Sequence, residues 1–433
     1  MNIGIIGTGY VGLVSGTCFA ETGNKVMCID IQQEKIESLK NGQLTIYEPG
    51  LEKLFHRNIS EGRLKFCTDL SRHIDQMELI FLALPTPPNE DGSADLKYVL
   101  QVATQIGTLI KDYKIIINKS TVPVGTVNLV REKIAENYHG EFDVISNPEF
   151  LREGFAVDDF MKPDRVVIGV NNNRPIEKMK QLYEPYLRQG NPLIFMDCNS
   201  AELTKYAANA FLATKISFMN EIANLCDKVG ADVDQIRRGI SFDERIGKRF
   251  LFPGIGYGGS CFPKDVKALI NIANSNDYSF KILKSVEEVN KRQKLIIVEQ
   301  ILNHFKDIAG LKFALWGLSF KPNTDDIREA PAIEIIKKLI NHGAQISAFD
   351  PEAKHNVAQL NLGTQFTLAN DQYEALQQAD ALIIATEWNE FRNPDYDQMK
   401  TLLKSATIFD GRNIFNKSKL HDLGFIYYSI GRP

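Results

Sequence analysis

Short apolar runs alternate with longer mixed stretches along the first part of the chain. Runs at 2–6, 25–29, 79–84, 114–118 and 142–146 are each long enough for one buried strand, and two more follow at 165–170 and 192–196. Between them lie stretches with helical spacing, such as 11–22 and 126–137. That rhythm predicts a doubly wound parallel sheet. The middle differs. No proline or glycine falls between 200 and 229, and Leu203, Tyr206, Ala207, Ala210 and Phe211 recur at helical spacing, which predicts one long helix. A second long helix is predicted over 281–305. The α/β rhythm then restarts, with strands at 312–316, 345–349 and 381–385, a helix at 332–342, and a run at 407–410 that closes the pattern.

The predicted fold class is therefore α/β, with two Rossmann-like doubly wound domains joined by a long central helix in a helical region suited to dimerisation. The expected boundaries are 1–198, 199–308 and 309–433. A chain of 433 residues is too long for one ordinary core, which agrees with several domains. With 44% hydrophobic and 24% charged residues and a net charge of −4, nothing favours a nucleic-acid or membrane partner. The first residues run straight into a strand, and no apolar run is long enough to span a bilayer, so a cytoplasmic chain without a leader is expected. The six cysteines are scattered and expected to be reduced. The seven histidines show no metal-ligand spacing, and no metal is expected.

Candidate chemistry begins at Gly7-x-Gly9-x-x-Gly12, which follows the first predicted strand and opens a helix. Asp30 ends the second strand. Glycines permit a tight turn and close approach of a pyrophosphate to a helix N-terminus, and the acid would accept hydrogen bonds from the adenosine ribose. A carboxylate there repels a 2′-phosphate, so NAD is favoured over NADP. A second glycine-rich turn, 254–261, offers Cys261 directly before a helix start marked by Pro263 and Asp265. A thiol in that position, next to Lys264, ionises more easily than an isolated one. A tight turn with a merely packed cysteine fits the same residues.

Seven segments in order resemble the nucleotide-sugar 6-dehydrogenases, the UDP-glucose/GDP-mannose dehydrogenase family, over nearly the whole chain. They are the glycine turn, Lys119-Ser-Thr-Val-Pro-Val-Gly125, Ser146-Asn-Pro-Glu-Phe-Leu-Arg-Glu-Gly154, Lys205-Tyr-Ala-Ala-Asn209, Arg245-Ile-Gly247, the cysteine turn, and the run from Gly317 to Pro331. The resemblance implies an NAD-dependent, two-step oxidation of a sugar alcohol to an acid. A cysteine captures the aldehyde as a thiohemiacetal, which becomes a thioester that water cleaves. The matching thiol is Cys261.

The resemblance also implies the partners of that thiol. Lys205 and Asn209 hold the reacting oxygen, Asp265 removes the hydroxyl proton through a water, Thr121 orients the hydrolytic water and Glu149 assists as base. Cofactor contacts fall on Gly7, Gly9, Tyr10, Val11, Gly12, Asp30, Lys35, Thr86, Thr121, Glu153, Lys264 and Arg328. Substrate contacts fall on Glu149, Phe150, Leu151, Arg152, Glu153, Lys205, Asn209, Phe250, Leu251, Phe252, Pro253, Gly254, Gly258 and Lys321. Arg245 is expected from the neighbouring subunit of a homodimer. The Phe-Leu-Phe-Pro-Gly run and the final-domain run favour UDP-glucose as substrate and UDP-glucuronate as product. The cysteine turn is shared with enzymes acting on GDP-mannose or UDP-N-acetylmannosamine, and the segment before Arg245 is bulkier than the family pattern. An epimerase holding NAD tightly would use the same fold, but its Tyr-x-x-x-Lys pair has no plausible place in the first domain. A non-catalytic NAD-binding scaffold would have no use for the full set of reactive residues.

Overall fold

Mostly apolar runs become strands, and those inside the sheets are buried on both faces, as parallel sheets require. The computed structural model describes residues 1–89, 91–187 and 190–433, in two units, Met1–Ala208 and Asn209–Pro433. The first unit contains β1 (Asn2–Ile6), β2 (Lys25–Ile29), β3 (Leu64–Cys67), β4 (Leu79–Leu82), β5 (Ile115–Asn118), β6 (Asp143–Ser146), β7 (Val166–Gly169) and β8 (Leu193–Met196). Among the described residues they form one sheet in the order β3-β2-β1-β4-β5-β6-β7-β8. All neighbours are parallel except β6 and β7, which meet at Ser146 and Gly169. Alternate residues serve opposite cores: Leu79 and Phe81 pack into one cluster, Ile80 and Leu82 into the other.

The second unit contains β9 (Lys312–Trp316), β10 (Gln345–Phe349), β11 (Phe366–Leu368), β12 (Ala381–Ile384), β13 (Thr407–Asp410) and β14 (Ile426–Tyr428). They form a parallel sheet in the order β11-β10-β9-β12-β13-β14. In both sheets the first strand lies between the second and the fourth, so the order reverses beside it and opens a crevice at the strand C-termini. Phe313 and Leu315 face one core cluster, Ala314 and Trp316 the other.

The helix Cys198–Val229 carries the chain from the first unit into the second, as the uninterrupted pattern predicts. Two expectations need correction. The stretch 281–305 is two helices, Lys281–Gln293 and Ile296–Phe305. Between them Leu295 donates to the carbonyl of Arg292, a tighter turn than an α-helix, while Lys294 is buried against Glu329 and Glu334. The run 407–410 does not close the pattern, because β14 follows it at the sheet edge. No described helix is long and apolar enough to cross a membrane.

Candidate active site

The glycine turn after β1 is built by steric need. Gly7 has φ +98°, which a side chain rarely tolerates, and a Cβ on Gly12 would lie 1.9 Å from the Gly7 carbonyl oxygen. Gly12 thus lets the helix Tyr10–Glu21 lie directly on the turn. Gly9 differs: a Cβ there would meet nothing within 4 Å. The space above Gly9 and the first N–H groups of the helix fit an anionic pyrophosphate. Asp30 follows β2, and its Oδ2 accepts from the Thr8 N–H (2.9 Å) and hydroxyl (2.7 Å). Its Oδ1 accepts from Gln32 N–H at 3.1 Å, and Lys35 stands 3.5 Å away. Half-burial works against the Asp30 charge, but these donors outweigh it and hold the carboxyl below its ordinary range. It is an anion with room left on its oxygens.

Three more expected residues gather at the C-terminal ends of β4, β5 and β6. The Thr86 hydroxyl donates to the Thr121 carbonyl at 2.9 Å. Glu149 and Lys205 form a buried ion pair at 3.0 Å, and Phe150 lies beneath the Arg165 guanidinium, 3.6 Å from its ring centroid. Leu151 N–H donates to Glu149, which closes the turn. Arg152 goes elsewhere, pairing with Asp159 and packing over Phe155. Lys119, also buried, donates to Asn147 at 3.1 Å. Burial lowers its pKa to about 8; attraction to Glu149 opposes this and repulsion from Lys205 adds to it. Glu202, on the long helix, accepts from Gly125 (2.6 Å) and Val127 (2.9 Å) N–H groups and so fixes the segment that carries Thr121.

In the second unit Cys261 is the N-cap of the helix Phe262–Asn274, with Pro263 in the first turn. Its sulfur is 3.5 Å from the Ser260 hydroxyl. Asp265, one turn on, is buried; it accepts from the Asn209 amide at 2.7 Å and pairs with Lys264 at 2.9 Å. The turn before the cysteine is held through its backbone. Asn290 accepts from Tyr257 N–H (2.8 Å) and donates to Tyr257 carbonyl (3.1 Å), while Gln293 donates to Gly254 carbonyl and Asn220 accepts from its N–H. Arg412 donates to Gly256 carbonyl at 3.2 Å. Gly258 must be glycine, because a Cβ would lie 2.3 Å from the Glu329 carbonyl oxygen. Phe250 adopts φ +63°, Leu251, Pro253 and Gly254 are buried, and Phe252 is exposed beneath Arg237. Lys321 lies over the Phe320 ring, Arg328 pairs with Asp326, and Arg245 is exposed and pairs with Asp243.

Profiles of one family match along the chain: its NAD binding domain over residues 1–187, its central domain over 199–292 and its UDP binding domain over 314–417. The chain belongs to the UDP-glucose/GDP-mannose dehydrogenase family. A UDP-glucose 6-dehydrogenase of Bacillus subtilis is 48% identical over 433 residues, covering 100% of this chain and 93% of that protein. One from Pseudomonas aeruginosa is 46% identical over 443 residues, covering 100% and 98%. Among solved structures, a UDP-glucose dehydrogenase from the archaeon Pyrobaculum islandicum superposes with TM-score 0.91 at 37% identity, covering 99% of this chain and 96% of that one. This member of the family is an NAD-dependent oxidoreductase, and its first unit carries the dinucleotide-binding turn.

Sequence reasoning passed over Glu48, Glu202, Asn220, Asn290, Gln293 and Arg412, and gave Lys119 no role beyond its place in the motif 119–125. One signal was available. Asn290 and Gln293 continue the buried stripe of Leu283 and Val286, and polar residues at core positions of a helix need partners. The others are distant in sequence from what they hold and give no local sign.

Proposed function

We propose that the chain oxidises the C6 alcohol of UDP-glucose to the carboxylate of UDP-glucuronate, with Cys261 holding the half-oxidised sugar. Two successive NAD molecules, held by the glycine turn and Asp30, would supply the hydride acceptors for the alcohol and for the thiohemiacetal. Asp265 takes the hydroxyl proton through a water, and Lys205 and Asn209 donate to the oxygen on which negative charge builds. The Cys261 thiolate adds to the aldehyde carbon, forming a C–S bond as the carbonyl oxygen gains a proton. Once that carbon is oxidised to the thioester, a water oriented by Thr121 and deprotonated with help from Glu149 attacks it. The C–S bond then breaks and the thiolate leaves with its electron pair. The observation that carries this reading is the buried Asn209–Asp265–Lys264 cluster one turn from Cys261, where a donor on the long helix meets the helix start that bears base and nucleophile.

The remaining assignments follow the same logic. Gly7, Gly9, Tyr10, Val11, Gly12, Asp30, Lys35, Thr86, Glu153, Lys264 and Arg328 contact the cofactor. Phe150, Leu151, Arg152, the Phe250–Gly254 backbone, Gly258 and Lys321 contact the nucleotide sugar. Residues 1–198 form the cofactor domain, 199–308 the central domain and 309–433 the domain for the UDP group, in a cytoplasmic enzyme. A homodimer is supported by an apolar stripe on the long helix, where Phe211, Phe218, Leu225 and Val229 are 65, 57, 53 and 65% exposed. Arg245, whose side chain is 89% exposed, extends to the partner's substrate.

Incubation with NAD and a panel of nucleotide sugars, followed by NADH absorbance, tests the reading. UDP-glucose should give the highest kcat/KM. Cys261→Ser should slow acid formation by at least about a thousandfold while NAD affinity stays within about twofold. Full activity in that variant would refute the nucleophile.

A further inference from the structure

Glu48 has no role in the chemistry above, yet its carboxylate, on a side chain only 5% exposed, is the meeting point of two segments that do. Oε2 accepts a short hydrogen bond from the Tyr10 hydroxyl. Tyr10 is the first residue of the helix that follows the glycine turn. The same oxygen accepts from Gly154 N–H, and Oε1 from Ala156 N–H, both at 2.7 Å. Gly154 ends the turn that carries Glu149 and Glu153 and has φ +81°, while Ala156 begins the next short helix. One buried carboxylate therefore ties the dinucleotide turn to the segment read as a substrate contact. An apolar side chain would leave two buried N–H groups and a phenol without acceptors, and any shift of Tyr10 is transmitted to residues 154–156 through two bonds.

We propose that Glu48 is a positioning residue that couples the dinucleotide turn to the Glu149–Glu153 segment, so that cofactor binding strengthens substrate binding. The link rests on the reading of that segment as a substrate contact. It needs no new contact with either ligand. The cofactor orders Tyr10, Tyr10 orders Glu48, and Glu48 fixes the backbone at Gly154 and Ala156. By reciprocity, substrate binding strengthens cofactor binding by the same factor.

Titration calorimetry on the full chain tests this with an unreactive pair, NADH and UDP-glucose. In the wild type, saturating NADH should lower the UDP-glucose Kd by about tenfold. In Glu48→Gln, which keeps one acceptor oxygen, and in Tyr10→Phe, which leaves both backbone bonds intact, that ratio should fall below about twofold. The double variant should be no worse than either single one. If Glu48→Gln does not fold, Tyr10→Phe gives the answer. A ratio unchanged in Tyr10→Phe, or a wild-type ratio of one, would overturn the link. A lower Tm in Glu48→Gln with an unchanged ratio would reduce Glu48 to a structural cap and overturn it as well. Failure of the wild type to bind UDP-glucose at all would refute the functional reading, and this link with it.

Discussion

The two sheets share a strand order and the same two markers, yet only the first has the space of a dinucleotide site. A glycine with positive φ follows the first strand of each, Gly7 at +98° and Gly317 at +92°. An aspartate follows the second strand of each, Asp30 and Asp350. In the first unit the turn continues through Gly9 into a helix at Tyr10, and Asp30 keeps part of its surface open. In the second, Ser319 occupies the place of Gly9 and turns its hydroxyl to Asp350, and the next helix starts only at Pro331. Asp350 is 0% exposed and accepts from Leu318, Ser319, Glu352 and Ala353 N–H groups and from Trp388 Nε1. At this turn the same topology leaves open space in one unit and is closed by packing in the other. Function lies in the residues at the turn, not in the fold.

The largest expected effect comes from the closed site. Asp350→Ala leaves several buried donors unpaired, and each costs about 1–3 kcal/mol, so the second unit should lose most of its stability in urea denaturation. NAD affinity of the protein that remains folded should hardly change. A drop in NAD affinity equal to that of an Asp30 variant would erase the contrast. Next, Asp30→Asn should weaken NAD by about 1–3 kcal/mol, or roughly fivefold to 150-fold, with little change in Tm. It should also narrow the preference over NADP, as read by fluorescence titration of both cofactors.

A smaller contrast lies within the open turn. Gly9→Ala adds a methyl group to empty space, so it should weaken NAD while leaving Tm within about two degrees. Gly12→Ala drives a Cβ into the Gly7 carbonyl and should lower Tm as well. The smallest effect is on pH. Burial lowers Lys119 from its ordinary 10.5 to about 8, so between those values the unfolded chain holds a proton that the folded chain has released. Stability from this group therefore rises with pH from about 8 to 10.5 and is absent below 8. The stability of the wild type relative to Lys119→Met, measured by denaturation at pH 7 and pH 9.5, should increase at the higher pH.

Much of the fold was legible because a strand buried on both faces is apolar along most of its length. The runs 2–6, 25–29, 312–316, 345–349 and 407–410 match strands to the residue. The strands that escaped notice, β3, β11 and β14, all lie at sheet edges, where short half-exposed segments carry no continuous apolar signal. The site divides in a similar way. Glycine turns and the cysteine turn announce themselves locally, since their spacing is set by backbone geometry. Their supports do not: Glu48, Asn220 and Arg412 act on segments 34 to 156 residues away. The partners of Arg152 and Arg245 show the reverse limit, because their motifs name an arginine but not the aspartate that holds it, whereas the run from Gly317 to Pro331 contains both Arg328 and Asp326.

The central claim is that one thiol captures the sugar after the first oxidation and holds it through the second. The direct measurement is NADH formed per UDP-glucose consumed, with the aldehyde trapped and quantified in the same samples. Oxidation of an alcohol to an acid removes four electrons, so the account predicts two NADH per sugar and no aldehyde in solution. One NADH per sugar, with aldehyde accumulating, would contradict it.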